Sequence, residues 1–320
     1  MIFIFRYSFA YFLDLVFGDP YWFPHPVRFI GKWISSLEKI LYRFSNKYYA
    51  GVFLWFATCA ITFIISFYLA KNEYLEIFFL YTSLATKSLA MEGKKVIRLL
   101  EEGDLDKAKK ELSYLVSRDT KEMDEQQISM STLETIAENT VDGVISPMFY
   151  AFIGSHFHVL GVSLALPFAM TYKAINTLDS MVGYQTEQYN LFGRFSAKMD
   201  DIANWLPARL AGGIFIPLAA GILGFSAKKS YQIFQRDGNK HASPNSGQSE
   251  AAYAGALGVQ FGGKIFYFGE AYEKQKIGDA LFPFSVEIVR RGVKLLYGTS
   301  FCACILFILL GGLYHGFTWR

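Results

Sequence analysis

Four stretches of this chain carry no Asp, Glu, Lys or Arg: residues 50–70, 143–172, 210–227 and 295–319. A membrane-crossing helix needs about 20 predominantly apolar residues, and inside lipid its backbone must satisfy its own hydrogen bonds. The first and last runs meet that requirement directly. Residues 75–89, interrupted only by Glu76 and Lys87, read as the return arm of a hairpin turning at Lys71-Asn72-Glu73. Residues 1–18 are apolar as well, but Arg6 and Asp14 weigh against a span. The lack of a basic start and of a small-residue cleavage site weighs against a signal peptide. Residues 143–172 fit either one long tilted helix or a broken, re-entrant pair turning between Gly154 and His158, with Pro147 and Pro167 as permitted breaks.

The fold class expected is all-α: a polytopic helical integral membrane protein of about 4–6 membrane segments with helical cytoplasmic loops. A single membrane-embedded domain would cover 1–320, with 91–143 mainly an extramembrane helical segment and 228–295 a polar, motif-bearing loop region. Residues 87–116 have strong helical propensity broken at Gly103-Asp104, which reads as a solvated helical hairpin. No repeat period and no long alternating pattern argues for a sheet.

Charged residues make up 18% of the chain, against a usual share of about 25%, while the apolar fraction is 52%. Several spans in an otherwise charged chain would produce that shift. The net charge of +3 gives no electrostatic footprint for nucleic acid. Cys59, Cys302 and Cys304 all lie in apolar runs, where packed or lipid-facing thiols are the ordinary reading. Basic residues occur in every polar segment. If the motif segments share one face, positive-inside bias makes that face cytoplasmic.

Glu134, Glu138 and Asp142 follow one another at four-residue spacing and run straight into the charge-free stretch. That spacing stacks like charges on one helical face, where they repel. A bound cation or a basic partner would relieve them, and magnesium needs only one or two protein carboxylates plus substrate phosphates. Asn139 would add a donor or ligand, and the plain alternative is a solvated acidic face. Asn176, Asp179, Asp200, Asp201 and Asn204 form a second polar group beside an apolar run. It reads either as a metal–phosphate site or as N-capping aspartates before a membrane helix. Arg28, Arg118, Arg209 and Arg236 offer guanidinium forks for phosphate, although Arg209 beside a span can equally snorkel. His241-Ala-Ser-Pro-Asn245-Ser246-Gly247-Gln-Ser-Glu250 is a turn-forming loop feeding a small-residue helix whose N-terminal amides suit an anion. His156 and His158 read as packing or interfacial residues.

At these residues the chain resembles the CbiB/CobD family, the membrane-bound adenosylcobinamide-phosphate synthases of cobalamin biosynthesis. The segments that carry the resemblance are L-D-L-V-F-G-D-P-Y-W-F-P-H-P-V-R-F-I-G, S-R-D-T, E-T-I-A-E-N-T-V-D-G-V-I-S-P, N-T-L-D-S-M-V-G-Y, D-D-I-A-N-W-L-P-A-R and H-A-S-P-N-S-G, in the same order from Leu13 to about Gly263. Residues 264–320 match only in general character, and Ala242 departs from a form with proline after the histidine. The resemblance implies ATP-dependent joining of a propionate carboxyl of adenosylcobyric acid to (R)-1-aminopropan-2-ol or its O-phosphate, through an acyl-phosphate. ATP and Mg2+ would be required, with a corrinoid and the aminopropanol as substrates. The lipid bilayer and other membrane cobalamin-assembly enzymes would be partners, and the location the cytoplasmic (inner) membrane.

On that reading Glu138, Asp142, Asp179, Asp200 and Asp201 hold metal, and Glu134, His25 and Asn139 take catalytic roles, with Glu134 or His25 receiving the proton of the attacking ammonium. Asp19, Arg28, Arg118, Asp119, Asn176 and Asn204 are expected to contact substrate or phosphate, as are Arg209, Arg236, His241, Asn245, Ser246 and Glu250. Two other classes stay open: a magnesium-dependent membrane phospho- or prenyltransferase, and a non-catalytic membrane sensor.

Overall fold

The computed structural model of the chain describes residues 2–317 except 21, 23, 117, 185, 268 and 269; residues 318–319 of the last apolar run therefore lie outside the described residues. The first helices are α1 (Ile2–Phe17), α2 (Pro26–Leu41), α3 (Lys47–Leu69), α4 (Glu73–Tyr81), α5 (Thr86–Glu101), α6 (Leu105–Ser113) and α7 (Glu125–Thr140). A π-helical turn, Val141–Ile145, leads directly into α8 (Ser146–Gly154). A small hairpin of β1 (His158–Val159) and β2 (Val162–Ser163) then precedes α9 (Ala165–Val182). Next come α10 (Arg194–Leu210), a second π turn (Ala211–Phe215), α11 (Ile216–Ile222), α12 (Ala227–Asp237) and α13 (Ser246–Leu257). The antiparallel hairpin of β3 (Gln260–Tyr267) and β4 (Glu270–Gly278) leads to α14 (Val286–Phe317).

The all-α expectation holds. Among the described residues three helical stretches are long and apolar enough to cross a membrane: Lys47–Leu69, Arg194–Ile222 and Val286–Leu313. The other apolar runs are cut shorter. Residues 143–172 are broken, with α8 and α9 folding back through the β1–β2 turn. Pro167 sits in the first turn of α9, where a missing N–H costs nothing, so it begins a helix; Pro147 follows directly on the π turn, inside the continuous helical path from α7 into α8. A Cβ on Gly154 would lie 2.3 Å from the Leu164 carbonyl oxygen, which fixes glycine at that crossing. The return arm expected over 75–89 stops at Tyr81, and a new helix starts at Thr86. The run 210–227 proves to be the second half of a helix that starts at Arg194, so Asp200 and Asp201 lie mid-helix. They are therefore not N-caps.

The polar region 228–295 holds the β3–β4 hairpin, which the sequence reading did not anticipate. Gly262 and Gly263, both at φ +89°, place a bulge in β3 and interrupt the alternation that would have marked a strand. The α5–α6 hairpin turns as expected: Gly103 adopts φ +74° and Asp104 accepts the Lys107 N–H at 3.1 Å to cap α6. Val96, Ala108, Leu112 and Ile128 form its core.

The chain divides into two compact units. The first comprises Met1–Ala85, Ser146–Asn204 and Cys304–Arg320; the second comprises Thr86–Ile145 and Trp205–Ala303. In the first, Arg6 of α1 pairs with Glu73 and the buried Glu76 of α4, which accounts for charges inside two apolar segments. A Cβ on Gly51 of α3 would lie 1.8 Å from the Phe192 carbonyl oxygen. Tyr150 of α8 and Tyr172 of α9 stack with ring centroids 5.2 Å apart.

In the second unit every residue of α13 is buried. Small residues let its neighbours approach at backbone distance. A Cβ on Gly255 would meet the Lys229 carbonyl of α12 at 2.3 Å, and one on Gly212 of the second π turn would meet the Gln248 carbonyl at 2.5 Å. Tyr253 and Thr140 share a hydroxyl–hydroxyl hydrogen bond of 2.9 Å that ties α13 to α7.

Asp237, at the end of α12, is fully buried and receives Arg236, Lys240 and the Gly278 N–H, while Arg236 also reaches Asp279. This fastens α12 to β4. Burial alone would raise the Asp237 carboxyl, but the Arg236, Lys240 and Gly278 hydrogen bonds outweigh it and hold the group well below the usual carboxylate range. A depressed folded-state value contributes stability that is present above the unfolded value and lost as pH falls through the folded one. Thermal unfolding in detergent is therefore expected to show the wild type losing stability below about pH 4. Asp237→Asn, less stable at neutral pH, should lose less over the same interval.

Candidate functional site

Helix α7 begins with a reciprocal capping box, Asp124 accepting the Gln127 N–H while the Gln127 side chain accepts the Asp124 N–H. Two turns later its carboxylates have separate surroundings. Glu134 is buried and pairs with Arg118 at 2.5 Å, with both side chains more than nine-tenths covered. Arg118 also approaches the Ser131 hydroxyl at 3.3 Å. Glu138 is exposed and accepts the Ser246 hydroxyl at 2.9 Å. Asp142 falls in the π turn and is half-buried. A wider turn breaks the four-residue stack, so the three carboxylates are not a repelling column. Asn139 folds back onto its own helix, donating to the Thr135 carbonyl at 3.0 Å.

The loop after α12 is built by its own side chains. His241 Nδ1 accepts the Ser243 N–H at 3.0 Å, and Ser243 Oγ accepts the N–H groups of Asn245 and Ser246, each at 3.2 Å. Gln248 donates to the Gly238 and Pro244 carbonyls and to Asn239 Oδ1, which pins the loop over the start of α13. With Nδ1 engaged, His241 turns Nε2 toward Glu250, 3.8 Å away. Burial, then Lys274, lower the His241 value despite the opposing Glu138 and Glu134. Burial, then the charges of Glu134 and Glu138, push the Glu250 carboxyl well above its ordinary range. Arg209 stacks on Trp205 at 4.3 Å, donates to the Trp205 carbonyl at 2.8 Å and lies 3.5 Å from Asn245 Oδ1. Arg236 gives three hydrogen bonds to Asp237 and Asp279, at a distance in the chain from the acidic helix.

The first unit carries the second polar group. Asn204 Oδ1 accepts from Ser146 at 2.6 Å and Tyr172 at 2.9 Å, and its amide donates to Asp200 Oδ2 at 3.0 Å. Asn176 donates to Asp200 Oδ1 at 3.3 Å. Ser146 and Tyr172 escaped the sequence reading; Ser146 sits in the V-I-S-P end of the acidic motif, which was its only signal. Asp201, one residue on from Asp200, is half-buried. Asp179 lies over Gly183, where a Cβ would come within 1.9 Å of its carboxylate oxygen, so the glycine of N-T-L-D-S-M-V-G-Y makes room for the aspartate. His25 caps α2, accepting the Val27 N–H through Nδ1 at 3.3 Å, and its Nε2 lies 3.1 Å from Asp19. Arg28, in the first turn of α2, and Asp119 are both exposed.

Glu134, Glu138, Asp142, Arg118, His241, Ser246 and Glu250 thus belong to the second unit, and Asp179, Asp200, Asp201, Asn204, Asn176 and His25 to the first. Among the described residues no three His, Cys, Asp or Glu side chains are arranged to enclose a metal ion. Glu138 at the end of α7 and Asp142 in the π turn each offer carboxylate oxygens of the kind magnesium takes. That suits magnesium carried by a phosphate ligand rather than a closed protein cage.

A family model described as CobD/Cbib protein matches residues 7–296. The chain belongs to the CobD/Cbib family. Similar members are a "Cobalamin biosynthesis protein CobD" of Listeria monocytogenes serotype 4b, 42% identical over 96% of this chain and 98% of its own. A Geobacter metallireducens protein of the same name is 44% identical over 94% and 93%. A "Cobalamin biosynthesis protein CbiB" of Salmonella arizonae is 41% identical over 95% and 96%. No solved structure matches. The family match reaches Leu296, past residue 263 where the resemblance of separate motifs fades, so the β3–β4 hairpin and the start of α14 belong to the family fold.

Removing one member of a buried ion pair strands the other charge. Arg118→Met should cost about 3–5 kcal/mol of unfolding free energy in detergent. Arg118→Met combined with Glu134→Leu should recover most of that loss, as a double-mutant cycle would show.

Proposed function

We propose that this chain serves cobalamin biosynthesis as an ATP-dependent acid–amine ligase, joining adenosylcobyric acid to (R)-1-aminopropan-2-ol or its O-phosphate to give adenosylcobinamide or its phosphate. Its near full-length similarity to relatives named for cobalamin biosynthesis carries this reading. The polar segments at the ends of apolar helices support it.

Amide formation from a free carboxylate is unfavourable in water, so the propionate must be activated. In this scheme the carboxylate oxygen attacks the γ-phosphorus of ATP and ADP leaves. The amine nitrogen then attacks the acyl carbon, phosphate leaves and the ammonium-derived proton passes to a base. Positioning and charge neutralisation supply most of the catalysis. Glu138 and Asp142 would hold magnesium, which when bound neutralises phosphate charge. Arg209 is the guanidinium best suited to phosphate in the second unit: among the described residues it has no carboxylate partner, whereas Arg118 and Arg236 are ion-paired. The N-terminal amides of α13, ordered by Ser243, offer a second anion contact. The Asp200–Asn204–Ser146 network positions its helices rather than reacting, because Asn204 is already saturated with partners.

The reacting face would be cytoplasmic and the membrane the cytoplasmic one, in keeping with positive-inside bias. Other membrane enzymes of corrinoid assembly would be neighbours.

Purified protein supplied with ATP, magnesium and both substrates tests the reading through corrinoid amide formation. Glu138→Gln and Asp142→Asn should each lower turnover on the order of 10²-fold, as loss of a charge-stabilising group does. Near-normal ATP-dependent turnover in both would sink the magnesium assignment, and a wild type that consumes no ATP would sink the ligase itself.

A further inference from the structure

Two buried carboxylates of the second unit have acceptor capacity that the protein leaves unused. Glu134 Oε2 takes Arg118, but its Oε1 is closed off from solvent and has no hydrogen-bond donor. Glu250 is only 2% exposed, and His241 Nε2, 3.8 Å away, is beyond hydrogen-bond reach. An acceptor left bare in a buried place costs about 1–3 kcal/mol, more when it is charged, so two such groups together call for a donor.

The helices bring them to one place. The Ser246–Glu138 hydrogen bond sets α13 against α7. Glu250 lies one turn further along α13, Glu134 one turn back along α7, and Glu134 is the foremost charge acting on Glu250. The groups facing this spot are Glu134 and Glu138 from α7, Arg118 from the segment before it, His241 from the preceding loop and Lys274 from β4. With Glu250 ionised, three carboxylates would face two fixed cations. The cluster then lacks one positive charge and at least two N–H donors. A metal ion would answer the charge, but among the described residues no three side chains could hold one here without a ligand of its own. A primary ammonium answers both, with one charge and three donors on a small head.

We infer that Glu134 and Glu250 form the pocket for the ammonium group of a primary-amine substrate, with Oε1 of Glu134 and the Glu250 carboxylate as its acceptors. The inference rests on the ligase reading for which amine enters, not for the pocket's chemistry. It reassigns Glu134: with Arg118 holding its other oxygen, it orients the incoming amine, and the nitrogen is presented from a site dry enough to favour loss of its proton once Glu250 receives it. Lys274, whose charge also acts on Glu250, would meet a phosphate carried two carbons away.

Calorimetric binding to the whole protein in detergent tests this, with (R)-1-aminopropan-2-ol O-phosphate, isopropyl phosphate (the same phosphate without the amine), ethylammonium chloride and magnesium chloride as probes. Wild type should bind the amino phosphate at least tenfold more tightly than isopropyl phosphate, a comparison that needs no variant to fold. Glu250→Gln should lose at least tenfold in amino phosphate affinity and leave isopropyl phosphate unchanged. Equal affinity for both phosphates in wild type, equal losses for both in the variant, or Glu250-dependent binding of magnesium alone would overturn the pocket. Ethylammonium separates the two readings: if it binds in a Glu250-dependent way but no corrinoid amide forms, the pocket stands and the ligase falls. If amide forms while the variant keeps its amine KM, the ligase stands and the pocket falls.

Discussion

A helix with no exposed face can be accommodated only if its neighbours come close on all sides, and α13 is such a helix. Its sequence, S-G-Q-S-E-A-A-Y-A-G-A-L, supplies small residues where α12 and the second π turn approach at backbone distance. At the α7 crossing it supplies hydroxyls and Tyr253 instead. Close packing of this kind is intolerant of added methylenes. The polar side chains of its first turns, Ser246, Gln248, Ser249 and Glu250, are held in fixed positions by the backbone around them. The candidate site is a consequence of that packing as much as of its own residues.

Charge burial separates framework from chemistry. Arg6 with Glu76, and Arg236 and Lys240 with Asp237, are paired and hydrogen-bonded, which is the state in which buried charges persist. Asp200 is likewise embraced by Asn176 and Asn204. Glu134, Glu138 and Glu250 differ: one has an idle oxygen, one is open to solvent, and one faces a histidine across a gap. These three keep acceptor capacity that the paired carboxylates do not, which is why the proposed chemistry is placed on them.

Much of this was legible in the sequence, and for identifiable reasons. Charge-free runs marked α3 and α14, because lipid and core both exclude charge over a helix length. Gly103-Asp104 marked the α5–α6 turn, because each residue has a specific backbone use there. The acidic helix and the H-A-S-P-N-S-G loop were singled out, and the Ser246–Glu138 bond joins them. What escaped were features fixed by tertiary contact. The Arg118–Glu134 pair spans a turn whose path no local pattern sets. The double glycine of β3 erased the strand's alternation. Asp200 and Asp201 looked like a helix start because the helix they occupy begins with a charged, amphipathic segment before it turns apolar.

The two π turns, Val141–Ile145 and Ala211–Phe215, each follow a side chain to which a role is proposed, Glu138 in one case and Arg209 in the other. An α-helix advances about 100° per residue, and a π turn absorbs one residue beyond the α count. Each turn therefore shifts the phase of the helix it interrupts. At these two places the chain's meaning lies in its spacing as well as its letters. When relatives are compared, a one-residue gap inside V-D-G-V-I or A-G-G-I-F would signify a rotated helix, whereas the same gap in the loop at Gly224 would signify very little.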